Sequence, residues 1–104
     1  MIEPKPGQIL HTTWGYSMTL QDFYKVIDTT KSTMRLRKLE KKQWYDEEGS
    51  ELCEPAKNGD EVIFDRHTPE PFRVKQNKYG DYKIAQEGTL RVWDGKPLSQ
   101  NTMD

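Results

Sequence analysis

Apolar and polar residues alternate in short runs along this chain, and turn residues punctuate the runs at intervals of about 8–12 positions, the pattern of a small all-β protein. Lys5-Pro6-Gly7 is turn chemistry and opens onto Gln8-Ile9-Leu10-His11-Thr12-Thr13-Trp14, a β-branched and aromatic run that Gly15 ends. Residues 16–21 read as a returning loop. Residues 22–29 then alternate, with Phe23, Lys25 and Ile27 on one side and Tyr24, Val26 and Asp28 on the other, so both sides carry apolar groups. In 33–39 the two-residue period sets Met34 and Leu36 inward and Arg35 and Arg37 outward. A helix over 31–44 is the alternative, because Leu36, Leu39 and Gln43 also fall at helical spacings among good helix formers. The two-residue period favours the strand, with Lys31-Ser32 turning it back on its predecessor.

Asp46-Glu47-Glu48-Gly49-Ser50 predicts a second turn, after which Glu51-Leu52-Cys53-Glu54 pairs back. Pro55 cannot donate to a ladder, so 54–60 is expected to be an irregular connection turning at Asn58-Gly59. Residues 61–64 suit a short strand or one helical turn. Residues 72–76 and 82–85 alternate around a turn at 77–81 and predict a hairpin, and 89–93 form a last strand ended by Asp94-Gly95. Residues 96–104 have little to bury and are expected to be a mobile tail.

A length of 104 residues makes one domain, here 1–95, and five to seven short antiparallel strands in a chain this size close most readily as a barrel. The Pro-Gly entry into a strand, followed by Phe23-Tyr24-Lys25-Val26 and a hairpin, resembles the start of SH3-like barrels over residues 5–39. Trp14-Gly15-Tyr16, Asp22-Phe23-Tyr24-Lys25-Val26 and Trp93-Asp94-Gly95-Lys96-Pro97 resemble three stretches of small proteins carried by phages and plasmids. That resemblance implies a mobile-element origin and contact with host components, but no assigned chemistry.

Composition narrows the classes. Hydrophobic residues are 33% and charged residues 32%, so a small core leans on three Trp, five Tyr and three Phe. No apolar run approaches the roughly 18 residues of a membrane span, and the first ten residues lack signal-peptide character. A single cysteine, Cys53, excludes an internal disulfide and fits a reducing compartment, so a cytoplasmic protein without membrane contact is expected. Net charge is only -1, yet its distribution is uneven. Residues 1–45 hold eight Lys/Arg and four Asp/Glu, 46–70 hold two and nine, and 71–104 hold six and four. The basic peak of Lys31, Arg35, Arg37, Lys38, Lys41 and Lys42 is followed at once by Asp46, Glu47, Glu48, Glu51 and Glu54.

Candidate chemistry is sparse. His67 lies 56 residues from His11 and 14 from Cys53, without the close spacing of a metal site. Cys53 with His67 is the one pair resembling a nucleophile and base, and a lone cysteine is more often a buried structural residue. The seven glycines stand singly, which excludes a phosphate-binding loop. No cofactor and no catalytic residue is expected. The residues that suit partner contact are the aromatics Trp14, Tyr16, Tyr24, Trp44, Tyr45 and Trp93, the basic pair Arg35 and Arg37, and the acids Asp46, Glu47, Glu48 and Glu51. If the strand ends at Trp14 and Trp93 meet, they make an aromatic platform.

Three function classes follow. The first is a non-enzymatic protein that contacts a host protein, for instance an inhibitor whose acidic segment mimics phosphate in the groove of a defence nuclease. The second is a nucleic-acid-binding module using 31–42 on phosphates. The third is a structural or virion-associated protein, which would assemble symmetrically.

Overall fold

Residues 20–29 have apolar side chains on both sides, and the strand they form is buried on both faces. In the computed structural model, which describes residues 2–15 and 18–101, this strand is the middle of a five-stranded antiparallel sheet. The strands are β1 (Ile9–Trp14), β2 (Leu20–Thr29), β3 (Thr33–Lys38), β4 (Lys41–Tyr45), β5 (Glu51–Pro55), β6 (Lys57–Asn58), β7 (Glu61–Val62), β8 (Phe72–Lys75), β9 (Lys83–Ile84), β10 (Gly88–Thr89), β11 (Arg91–Val92) and β12 (Leu98–Ser99). The central sheet runs β11-β1-β2-β3-β8, and a second sheet runs β12-β5-β4. Two short hairpins, β6–β7 and β9–β10, complete the set.

One face of the central sheet carries Leu10, Tyr24, Val26, Met34, Leu36 and Val74, closed over by Tyr82 and Leu90. The other carries Phe23, which packs with Leu39 and Cys53 and against Ile9, Val62, Phe64, Trp93 and Leu98. Phe23 and Leu36 are fully buried and their neighbours nearly so, which makes β2 the wall between two small cores. Each large buried side chain contributes roughly 1.5–3 kcal/mol, and β2 supplies such side chains to both cores.

The all-β class expected from the sequence is what forms, with no helix among the described residues and six strands of four residues or more. The result is a barrel-like arrangement of antiparallel sheets, although pairing among the described residues does not close a continuous ring. Met34 and Leu36 point inward as the period requires, and the helical alternative for 31–44 is replaced by β3 and β4. No helix of the described residues is long and apolar enough to cross a membrane.

Several local expectations are revised. Residues 82–85 do not pair with 72–76; β8 instead joins the open edge of β3, with Leu36 opposite Phe72 and Met34 opposite Val74. That edge buries Val74 and Phe72 against the first core, which a free-standing hairpin would leave in water. Asn77 still closes its turn, its side chain accepting from the Tyr79 and Asp81 amides. The last strand splits into β10 and β11 around Leu90, whose amide bonds Tyr82 O at 2.8 Å while its side chain enters the core. Pro55 lies within β5 opposite Lys41, at a position where its missing N–H breaks no ladder bond.

Of the segment 96–104 expected as a mobile tail, the described part is tied down as far as Asn101, and residues 102–104 lie outside the described residues. Leu98 pairs with Cys53 and Ser99 with Leu52, and Asn101 exchanges two backbone hydrogen bonds with Thr19 at 2.9 and 2.7 Å. Gln100 is nearly buried. Leu98, the one large apolar residue among the described positions of that stretch, packs against the second core and docks it.

Truncating Phe23 to Ala should cost about 3–5 kcal/mol in urea unfolding, because it leaves a cavity at the centre of the second core. Truncating Lys25, two residues on, should change stability by less than about 1 kcal/mol.

Candidate functional site

The basic strand is the first candidate, and most of its charge is engaged internally. A bulge between Val26 and Asp28 shifts the β2–β3 register so that Asp28 stands opposite Arg35. Arg35 Nε then donates to both Asp28 oxygens, at 3.0 and 2.8 Å, and its terminal nitrogen reaches Oδ2 as well. That hydrogen bonding holds the Asp28 carboxyl below its ordinary range. Arg37 stacks 4.0 Å from the Phe64 ring centroid, and Lys25 stands 5.8 Å from the same ring.

Lys38 and Lys41 converge on a single carboxylate. Each ammonium is 3.9 Å from Asp22 Oδ1, while Asp22 Oδ2 accepts the Trp14 indole N–H at 2.8 Å. Lys41 also donates to Gln21 O at 2.7 Å and Gln100 Oε1 at 3.1 Å, and Gln100 Nε2 donates to Gln43 Oε1. Asp22 is buried beside Phe23, where an unpaired carboxylate would be costly; the lysines and indole are its compensation. A lone Asp between Gln21 and Phe23 in an apolar strand was the sequence signal for this cluster.

The aromatic platform does not form. Trp93 N donates to Ile9 O at 3.0 Å, at the start of β1, whereas Trp14 ends that strand. Five residues of strand separate them by roughly 16 Å. Trp93 packs edge-on against Phe23 at 5.7 Å, and its indole donates to Lys96 O at 2.8 Å, so the Trp93-Asp94-Gly95-Lys96 stretch closes on itself. Tyr24 is a core residue, 2% exposed, whose hydroxyl donates to Glu87 at 2.7 Å. Burial and that carboxylate push its phenol well above the usual range. Tyr24 is therefore withdrawn from the contact surface. Tyr16 lies outside the described residues.

What remains outward is the β4–β5 hairpin. Asp46 organises its turn: its backbone N–H bonds Ser50 O at 2.9 Å, and its Oδ1 accepts from the Glu48 and Ser50 amides at 2.9 and 2.8 Å. Gly49, at φ 84, occupies the left-handed position that this connection requires and that a side chain would strain. Tyr45 is 62% exposed, and its phenol is raised by a hydrogen bond with Glu51. Glu47 and Glu48 are exposed at the tip, and Trp44 is half-buried beneath the Lys42 ammonium, 5.4 Å from its ring. Beside the tip lies an open recess of about 320 Å³ lined by Tyr45, Glu51, Ser99, Gln100 and Asn101 among others. Its floor comes from the segment read as a tail, whose low apolar content hid it. The eleven described candidates thus separate into a contiguous hairpin group (Trp44, Tyr45, Asp46, Glu47, Glu48, Glu51) and five residues scattered away from it, Trp14, Tyr24, Arg35, Arg37 and Trp93.

Cys53 and His67 do not make a nucleophile pair. Cys53 is fully buried, its thiol lies 3.5 Å from Leu98 O, and burial pushes it up to about 11. His67 sits exposed in the turn capped by Asp65. A second open cleft, of about 520 Å³, is lined by His11, Thr13, Thr89 and Arg91. Gln21 Oε1 lies 3.2 Å from His11 Nδ1 and accepts from the Thr13 hydroxyl at 2.8 Å. Desolvation lowers the His11 pKa, and the Gln21 hydrogen bond opposes that only in part. No protein-family model, curated protein or solved structure matches the chain.

Because the folded state disfavours the charged imidazole, His11 contributes stability above its unfolded pKa of 6.5 that is lost as pH falls below it. Urea unfolding at pH 8 and pH 5 should therefore show a decline in the wild type that is smaller in His11→Gln. Replacing Asp22 by Ala should cost about 3–5 kcal/mol at pH 7, since it leaves the Lys41 ammonium without its carboxylate.

Proposed function

We propose that the chain is a non-enzymatic binding protein that presents the β4–β5 hairpin to a basic surface of a host protein. The observation that carries this reading is the tip itself, where an exposed Tyr45 stands beside Glu47 and Glu48 on a turn held rigid by Asp46. A prefixed turn loses little entropy on docking, and an exposed tyrosine flanked by like charges suits an anchor with electrostatic steering. The groove of a nuclease, built to hold phosphates, has the required charge, so inhibition of a host defence nuclease is one form of this function. The motif resemblances to phage and plasmid proteins supply the setting, the cytoplasm of a bacterial host.

Nucleic-acid binding through 31–42 is the weaker reading, because Arg35, Lys38 and Lys41 already face Asp28 and Asp22 and Arg37 stacks on Phe64. A structural or virion-associated role is the third reading.

Affinity capture from host lysate treated with nuclease tests the assignment. Wild-type protein should retain a host protein, and the triple variant Tyr45→Ala, Glu47→Gln, Glu48→Gln should retain it at least about tenfold less, as expected for loss of an anchor worth over about 1.4 kcal/mol. Loss of every partner on nuclease treatment, with probe affinity falling steeply in salt, would transfer the function to nucleic acid.

A further inference from the structure

The sheet order β12-β5-β4 leaves the far side of β4 without a strand partner among the described residues. Its hydrogen-bonding parity is fixed by its ends. Ala56 N donates to Glu40 O at 2.8 Å and Asp46 N donates to Ser50 O at 2.9 Å, so even-numbered residues bond toward β5. Lys41, Gln43 and Tyr45 therefore aim their backbone N–H and C=O groups outward, and none of them has a backbone partner among the described residues. Natural sheets blunt such edges with a proline, a bulge or an inward charge. β4 has no proline and no register shift, and its one inward charge, Lys41, is taken up by Asp22, Gln21 and Gln100.

Charge decides what fits this edge. The stretch Lys41-Lys42-Gln43-Trp44-Tyr45-Asp46-Glu47-Glu48 begins basic and ends acidic, so it complements its own reverse. A parallel copy would set lysine beside lysine. An antiparallel copy with Trp44 on the axis sets Gln43 opposite Tyr45 of the second copy and Lys42 opposite its Asp46, and odd residues meet odd residues as the outward hydrogen bonds require. Trp44 stands opposite Leu52 across β4–β5, so the pairing would join two Leu52-Trp44 steps into one apolar strip.

We propose that the open edge of β4 is a self-docking edge, on which a second copy of this chain adds its β4 antiparallel about a twofold axis at Trp44, giving a six-stranded sheet. The two hairpin tips then point in opposite directions, and Asp46 of each lies beside Lys42 of the second copy. This goes beyond the hairpin-tip reading and does not depend on it.

Sedimentation equilibrium of the full chain, from about 10 μM to 1 mM, reads the dimer in the range that a small transient interface occupies. A reversible dimer is expected, with amide exchange at Lys41, Gln43 and Tyr45 slowing as concentration rises. Gln43→Pro removes one outward N–H that the internal sheet does not use and should weaken the dimer about tenfold or more with the circular dichroism spectrum unchanged. Lys42→Glu, at an exposed position that needs no refolding of the edge, should weaken it as well, by opposing Asp46 of the second copy. A monomer at about 1 mM would overturn the proposal. So would a dimer that survives both substitutions, or edge amides protected only when a host protein is added.

Discussion

Two-sided burial of β2 is the constraint on which the rest of the molecule depends. Adjacent residues of a strand point to opposite faces, and here Phe23 and Tyr24 each enter a different apolar cluster. With only 33% hydrophobic residues, the chain cannot fill one large core, and it uses one strand as the shared wall of two small ones. The first is closed by β8 and by Tyr82 and Leu90, the second by the β12-β5-β4 sheet. The polar residues of β2 serve the same end. Asp22 gathers Lys38, Lys41 and Trp14 at the rim between the sheets, and Gln21 reaches Ser99 O at 3.1 Å to fasten the last strand.

This arrangement accounts for the unequal fate of the charges. Of the basic stretch, Arg35 is taken up by Asp28, Arg37 by the Phe64 ring, and Lys38 and Lys41 by Asp22. The acids beyond Tyr45 lie on the β4–β5 hairpin, where no Lys or Arg among the described residues pairs with Glu47 or Glu48. A chain with a net charge of -1 thereby presents an acidic tip while Arg35, Arg37, Lys38 and Lys41 of its basic stretch are engaged within the fold.

The sequence was most legible where one short-range rule governs. The two-residue period of Met34 and Leu36, the hairpin turns at Lys31-Ser32 and Asp46 to Ser50, and the all-β class all follow from local pattern. Pairing between distant segments was not legible, since nothing local tells Phe72 and Val74 to choose β3 over residues 82–85; the choice depends on which edge the core leaves open. Leu98 carries too little apolar content to announce a strand, yet it docks because Cys53 offers a partner in register. Of the candidate site, the hairpin group was readable as contiguous residues. The platform of Trp14 and Trp93 was not, because it needed the direction of β11 along β1.

If β2 joins both cores into one cooperative unit, native-state amide hydrogen exchange shows it directly. The slowest amides of β3, beside the first core, and of β5, beside the second, should share one opening free energy with those of β2. Exchange of the β5 amides through a lower-energy opening, with β2 and β3 still protected, would mean that the two cores are independent and that β2 does not bind them together.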